Sequence, residues 1–451
     1  MIQLKGKKIV VAGLARSGVS VAQFLASRGA KVTVTDIKTK TELQPYLKLL
    51  GSYKKIKYEL GRHPIKTLLS NDIFIVSPGV WITNPLIEQA KKKNKKIMSE
   101  IEFAYHFIKE PIVAITGTNG KTTTTMMVGQ FLQNAKKKAF VGGNIGNALT
   151  NILLTKEEYQ YVVSEVSSFQ LETIETFHPK IALVLNLTPD HLDRHGSMEN
   201  YRKIKGRIFE NQKGTDYLIL NAQDDLIRTY AEETKAKVLY FTKGNLAHGQ
   251  EGIYYKDNRF YLKTKDWHEQ YLTDQIKLKG DHNKENFMAA LLAAKILKCS
   301  PESIQQTLNS FQGVAHRLEY VKTRGYVDFY NDSKATNVYS VIRSLESFDK
   351  PLILIMGGRD KDANFELLRP LVQKKVKNLI LLGEAKEKIN RAVGDYTETF
   401  IVGTLEEAIF MAYQKSRAGD VILFSPGCAS FDMFKNYEHR GDTFKELLRD
   451  L

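Results

Sequence analysis

The chain is poor in cysteine, has no long apolar run, and is short of acidic residues relative to basic ones. Its two cysteines, Cys299 and Cys428, cannot form a disulfide framework or a Cys-rich metal site, so a reducing compartment is the default. Apolar runs such as "KIVVAGLA" fall far short of the ~20 residues that span a bilayer. The first of them runs into a Gly-rich turn, not a small-residue cleavage site, so a signal peptide is not expected. Secreted scaffolds and membrane spans are excluded, and a cytoplasmic location is expected.

The rest of the composition is ordinary for a globular protein, with 43% hydrophobic and 26% charged residues in 451. That length accommodates two to four domains of roughly 100–200 residues. The net charge of +16 is unevenly placed: residues 1–100 hold 19 basic and six acidic side chains, a net +13. Five lysines fall in "KKKNKK" (91–96). Such a run is either a solvated helix end or a field that attracts anions. Charge alone favours the first, because Arg is the better bidentate phosphate ligand. A nucleic-acid binder stays open on a pI near 9.4, although no interleaved Arg and aromatic stripe supports it.

Ten strand-like runs alternate with amphipathic stretches, at 7–13, 31–36, 72–79, 111–117, 159–166, 180–187, 216–221, 351–358, 378–383 and 420–427. Several are continuously apolar, as in parallel sheets covered on both faces. The expected fold is therefore α/β. Composition shifts divide it into units at 1–99, 100–313 and 314–451. Residues 238–275, rich in Tyr and Gly, read as short antiparallel strands inserted in the middle unit.

The sharpest local signal is "AITGTNGKTTTT" (114–125): a buried strand, a Gly-rich turn, then Lys121-Thr122 opening a helix. That layout lets backbone N–H groups and a helix N-terminus cradle phosphate. Lys121 reaches the outer phosphates, and the Thr122 hydroxyl can ligate Mg²⁺. It departs from the Walker spacing, which has a glycine where this chain has Ile115. An acidic partner is expected on a neighbouring strand, and Glu165 in "YVVSEVSSFQLE" follows an apolar run. "NLTPDHLDRH" (186–195) brings Asp190, His191, Asp193 and His195 into about one turn. The i, i+4 histidines suggest zinc, but no glutamate lies next to the first of them and no cysteine is near, so hard oxygen ligands favour Mg²⁺.

A second Gly-rich loop, "VVAGLARSGVSV" (10–21), carries Gly13, Ala15 and Gly18, with Asp36 ending the next strand. It resembles a dinucleotide fingerprint and suits a phosphate at a helix N-terminus; a plain strand–helix turn is the alternative. In the last unit, "YNDSKATN", "MGGRDKDANF" and "SPGCASFDMFKNYEHRG" follow strand-like runs. There Lys334, Arg359 and Lys361 suit a carboxylate or phosphate, or are simply surface charges.

In order along the chain, "GTNGKTT", "SEVSSFQLE", "NLTPDHLDRH", "GDHNKENFMAA", "AHRLE" and "NDSKATN" resemble the Mur ligase family of peptidoglycan synthesis. The resemblance covers essentially the whole chain. "GLARSG" with "SPGV", and above all "SPGCASFDMFKNYEHRG", resemble the D-glutamate-adding branch, and the Asp-Asn-Pro-Arg motif of diaminopimelate-adding relatives is absent. The resemblance implies three domains: a Rossmann-like parallel sheet, a central P-loop ATPase-like and mostly parallel sheet, and a C-terminal Rossmann-like sheet. It also implies ATP-dependent joining of D-glutamate to UDP-N-acetylmuramoyl-L-alanine through an acyl phosphate. The partners are then small molecules, with neither nucleic acid nor membrane, and a monomer is expected.

The same resemblance assigns residues. Gly117, Thr118, Asn119, Gly120, Lys121, Thr122 and Thr123 would hold the ATP phosphates. Asn283, Asn286, His316, Arg317 and Asp332 would face adenine and ribose. One Mg²⁺ would be held by Thr122 and Glu165, a second by His191 and a carbamylated Lys205. Gly13, Arg16, Ser17, Asp36, Gly79 and Asn144 would contact the uridine diphosphate substrate. Lys334, Thr336, Lys361, Ser430 and Tyr437 would line a D-glutamate pocket. Two residues depart from the relatives: Lys38 stands where an arginine is expected, and Tyr437 where phenylalanine is frequent. The alternatives are another amide ligase of the superfamily, a nucleic-acid-dependent ATPase, or a dehydrogenase that would leave the second phosphate loop unused.

Overall fold

The structure, a computed structural model, describes residues 2–80, 85–278 and 280–450. Its strands form three sheets of five, nine and six strands, and all ten strand-like runs in the sequence are strands. Packing divides the chain into two compact units, Met1–Thr273 with Glu285–Thr307, and Asp274–Lys284 with Leu308–Leu451. The first two sheets share the first unit.

The five-stranded sheet is wholly parallel, in the order Lys57–Leu60, Lys31–Asp36, Lys8–Ala12, Ile73–Val76, Lys96–Ser99. Chain order reverses on either side of Lys8–Ala12, and an open α/β sheet binds ligands beyond the strand ends at such a point. The turn after this strand needs glycine twice. Gly13 has φ +91°, and a Cβ there would lie 2.8 Å from that of Ser77. A Cβ on Gly18 would overlap the Gly13 carbonyl.

The nine-stranded sheet runs from Ala139–Gly143 through Tyr161–Glu165, Ile112–Thr116, Ile181–Val184, Tyr217–Asn221 and Lys237–Thr242 to Gly252–Lys256, all parallel. Arg259–Lys263 and His268–Leu272 then close it as an antiparallel meander. The Tyr-rich stretch is thus antiparallel only from Gly252 onward; Lys237–Thr242 continues the parallel order. The central strands are buried on both faces, with Ile112, Ala114, Val162, Ala182 and Leu218 among the core residues of one face. Their ends therefore project loops at one edge, where the phosphate-loop residues gather.

The six-stranded sheet starts with an antiparallel pair, Glu319–Arg324 with Val327–Asn331, and continues in parallel through Val421–Gly427, Leu352–Gly357, Val376–Leu382 and Glu398–Ile401. Every residue of Leu352–Gly357 and Val421–Gly427 is buried, as the continuous apolar runs require. Among the described residues no helix is long and apolar enough to cross a membrane.

Candidate functional site

The strand Ile112–Thr116 delivers the chain to Gly117, and the helix Lys121–Asn134 starts four residues later. Gly120 caps that helix at φ +82°, where a Cβ would overlap Asn286 Oδ1. Just past the end of the adjacent strand Ile181–Val184, Asn186 fixes the loop by a reciprocal pair: Asn119 N donates to its Oδ1 (2.8 Å) and its Nδ2 donates to the Asn119 carbonyl (3.0 Å). Thr118 Oγ1 donates to the Thr188 carbonyl and accepts from the Thr188 N–H. Lys121 Nζ curls onto the Gly117 and Thr118 carbonyls at 2.8 and 2.6 Å. Thr123 is buried in the first turn. The loop is thus held by the segment that follows the next strand, through the Asn186 side chain and the Thr188 backbone, which leaves its shape preset.

At the helix start, Thr122 Oγ1 donates to Glu165 Oε2 at 2.7 Å, and Asn144 Nδ2 donates to Oε1 at 2.9 Å. The sequence placed Asn144 with the uridine substrate; the structure brings its side chain onto the same buried carboxylate as Thr122. Among the described residues no three His, Cys, Asp or Glu side chains form a preassembled metal cluster. Thr122 and Glu165 still fit Mg²⁺, which is usually held by one or two carboxylates, phosphate oxygens and waters.

Lys205, on the helix Met198–Gly206, is 1% exposed. Its Nζ donates to the Gly117 carbonyl (2.9 Å) and Thr116 Oγ1 (3.2 Å) and lies 4.9 Å from the Tyr201 ring centroid. Burial first, and the Lys121 charge second, push its pKa well down. Beneath the phosphate loop this side chain is therefore biased toward its uncharged form, unlike a solvated lysine.

His191 precedes the short helix Leu192–His195 in a left-handed conformation, φ 53°. Its Nε2 lies 3.7 Å from Asp190, and its ring packs on Phe169 with centroids 4.8 Å apart. His195 points elsewhere. Its Nε2 bonds with Ser168 Oγ at 3.0 Å, and its Nδ1 lies 3.8 Å from Glu172. Burial holds its pKa down to about 4. The two histidines therefore differ in setting: His191 is partly exposed, and His195 is buried and held by Ser168 and Glu172. Asp193, on the same helix, is exposed.

In the first sheet, Asp36 accepts from Leu14 N (2.7 Å) and Lys38 N (2.9 Å). Its carboxylate orders the loop at Gly13 as well as facing the strand ends. Ser77 Oγ donates to the Gly13 carbonyl, so the turn holding Gly79 rests on the Gly13 loop. Arg16 and Ser17 open the helix Arg16–Ser27 at that edge.

The second compact unit has its own polar centre. Asp332 accepts from Ser344 Oγ (2.5 Å), Ser425 Oγ (2.8 Å) and Leu318 N (3.2 Å), and burial pushes its pKa up to about 6. His316, at φ 64°, bonds through Nδ1 to Asn331 Nδ2, and Arg317 follows it. Lys334 Nζ lies 4.9 Å from the Tyr437 ring centroid, and Ser430 is buried. Lys361 is exposed beside Asp360, and Thr336 is half-buried. Asn283 sits in the first turn of the helix Asp281–Ile296, its N–H on the Gly280 carbonyl. In the first unit, Asn286 of that helix accepts from Thr124 Oγ1.

Sequence reasoning missed two residues in this framework. Asn186 carries the phosphate loop, and its place at a strand end in "NLTPDH" was the available signal. Arg440 is 2% exposed, and its guanidinium donates to the Ser333 carbonyl and Oγ and the Cys428 carbonyl. It ties "NDSKATN" to "SPGCAS"; an Arg inside a polar motif gave no sign of burial.

Comparison with known proteins accords with this geometry. Residues 7–99 match the family description "Mur ligase MurD-like, N-terminal domain", 115–294 the "Mur ligase middle domain" and 316–428 the "Mur ligase, glutamate ligase domain". The UDP-N-acetylmuramoylalanine–D-glutamate ligase of Geotalea daltonii is 47% identical over 451 residues, covering 100% of this chain and 99% of its own. The ligase of the same name from Bdellovibrio bacteriovorus is 46% identical over 453 residues, covering 99% and 98%. Among solved structures, the UDP-N-acetylmuramate–alanine ligase MurC of Thermotoga maritima superposes with TM-score 0.61 at 20% identity, covering 98% of this chain and 99% of that one. The MurF ligase of Thermotoga maritima in complex with ADP gives 0.60 at 16%, covering 99% and 96%. These two share the fold. With relatives matching from end to end, the chain belongs to the Mur ligase family, on its UDP-N-acetylmuramoylalanine–D-glutamate ligase branch.

Proposed function

We propose that the protein joins D-glutamate to UDP-N-acetylmuramoyl-L-alanine at the expense of ATP, and that the residues assembled around Gly117–Thr123 perform the phosphoryl transfer. The observation that carries this reading is the buried Lys205 amine beneath a preset phosphate loop whose mouth holds the Thr122–Glu165 pair. Phosphoryl transfer asks a protein mainly for positioning and positive charge. Here the loop N–H groups and Lys121 supply both.

The substrate carboxylate oxygen attacks the γ-phosphorus, the bond to the bridging oxygen breaks, and ADP leaves with that electron pair. The amine of D-glutamate then adds to the carbonyl carbon of the acyl phosphate. Inorganic phosphate departs and the nitrogen gives up a proton, leaving the amide. Lys121 leaves the loop carbonyls for the phosphate oxygens as charge develops on them. Thr122 and Glu165 would hold Mg²⁺, which when bound supplies charge neutralisation on the phosphates.

Lys205 fits a further role. A neutral amine can take up carbon dioxide, forming an N–C bond and releasing a proton, and so turn from a hydrogen-bond donor into a carboxylate-like ligand. Together with His191 such a carbamate would hold a second Mg²⁺. Asn283, Asn286, His316, Arg317 and Asp332 would serve the adenine and ribose. Lys334, Thr336, Lys361, Ser430 and Tyr437 would serve D-glutamate, and Gly13, Arg16, Ser17, Asp36 and Gly79 the uridine diphosphate. The expected setting is cytoplasmic, with small-molecule partners and a monomeric chain.

The test is phosphate release with UDP-N-acetylmuramoyl-L-alanine, ATP, Mg²⁺ and either D- or L-glutamate. Turnover with the D isomer alone is expected. Turnover only with a different amino acid or nucleotide precursor would sink the assignment.

A further inference from the structure

Arg194 stands between two parts of the site that nothing so far connects. Three residues after His191, its N–H closes back on the His191 carbonyl at 3.1 Å. Its guanidinium then spreads in two directions. Nε and Nη2 grip Glu172 at 2.9 and 2.5 Å, while Nη1 and Nη2 donate to the Pro78 and Val80 carbonyls at 3.0 and 3.3 Å. The plane lies 4.0 Å from the Phe169 ring centroid, and Phe169 is also the ring against His191.

These contacts make a built strut and not a surface ion pair. The side chains of Arg194 and Glu172 are 8% and 6% exposed. Glu172 is anchored in turn, because Arg207 Nη1 donates to its backbone carbonyl at 2.8 Å. On the far side, the Pro78–Val80 turn is fixed by Ser77 against the Gly13 carbonyl. Planar, five-donor Arg can serve a carboxylate and two carbonyls at once; Lys cannot. Only the carboxylate arm is an ion pair. The carbonyl arm aims positive charge at backbone of the first sheet, on the turn that holds Gly79.

We propose that Arg194 is a positioning residue that sets the His191 turn against the Gly13–Gly79 substrate loops. It thereby fixes where the uridine diphosphate substrate's reacting end falls relative to the phosphate loop. The proposal rests on the assignment of those loops and of His191 made above. It deepens that assignment: the specificity loops of the first sheet and the catalytic turn of the second act as one body because this guanidinium bridges them.

The test is steady-state kinetics of Arg194→Ala and Arg194→Lys with each substrate varied in turn. For Arg194→Ala the KM for UDP-N-acetylmuramoyl-L-alanine should rise about tenfold or more and kcat should fall, while the KM for ATP stays within about twofold. Arg194→Lys should lie between it and the parent. Should the alanine variant be poorly folded, the lysine variant and Glu172→Gln carry the test. Glu172→Gln keeps the carbonyl arm and should shift the substrate KM less than Arg194→Ala. A uniform loss of kcat with every KM unchanged, or no loss, overturns the proposal while leaving the reaction intact. Failure of the parent enzyme to ligate D-glutamate overturns the reading beneath it, a result distinguishable from the others.

Discussion

At the scale of single residues, the site is governed by groups whose charge state is set by burial. Lys205 is the sharpest case, since a solvated lysine would be cationic and inert toward carbon dioxide. Lys205→Ala should therefore lose most phosphate release, and a short carboxylic acid in the assay should restore part of it by standing in for the carbamate. Full activity in the unrescued variant would remove the proposed role. His195 makes the opposite point. Burial holds its ring pKa down to about 4, against about 6.5 for a free imidazole. The unfolded chain thus binds the extra proton first as pH falls. The stability this group contributes is whole above about pH 6.5 and is lost progressively toward pH 4, by up to about 3 kcal/mol. Urea midpoints from pH 7 to pH 4 should show that slope, and His195→Gln should flatten its share of it.

At the scale of elements, the phosphate loop depends on backbone freedom at one position and on a neighbouring strand for its shape. Gly120→Ala puts a Cβ on a left-handed residue and against Asn286 Oδ1. The conformation alone costs roughly 1–2 kcal/mol, so thermal midpoint and phosphate release should both fall, the second by at least about tenfold. Retention of full activity would show that the loop relaxes. The strand–turn–helix unit was legible because its parts are local: an apolar run, two glycines and Lys-Thr in a row. The ten buried strands were legible for the same reason. Lys57–Leu60, Glu398–Ile401 and Glu319–Arg324 were not, because half-exposed edge strands carry no continuous apolar run. Nor could spacing reveal that Asn186 staples the loop or that Arg194 reaches Pro78, 116 residues away in sequence. His191 and His195 shared a helical spacing, yet the left-handed His191 breaks that periodicity, and only His195 is buried.

At the scale of the whole molecule, the fold decides what the basic charge of the first hundred residues can do. In a parallel sheet every strand starts at one edge and ends at the other. Lys5, Lys7 and Lys8 lie at the start of Lys8–Ala12, and Lys31 opens Lys31–Asp36. Lys54, Lys55 and Lys57 introduce Lys57–Leu60, and Lys91, Lys92, Lys93, Lys95 and Lys96 introduce Lys96–Ser99. Twelve of the 16 lysines in this segment therefore crowd the edge opposite Gly13, Asp36 and Gly79. A four-residue strand spans about 13 Å, beyond the ~8 Å over which exposed charges act at physiological salt. The lysine excess thus does not form the substrate site. Replacing Lys91, Lys92, Lys93 and Lys95 by Gln removes four charges without touching the ligand edge. The KM for UDP-N-acetylmuramoyl-L-alanine should stay within about twofold at 0.15 M salt. At 0.01 M salt, where the screening length grows to about 30 Å, the same variant should bind the anionic substrate more slowly than the parent. A large KM change at physiological salt would instead place the lysines in the site.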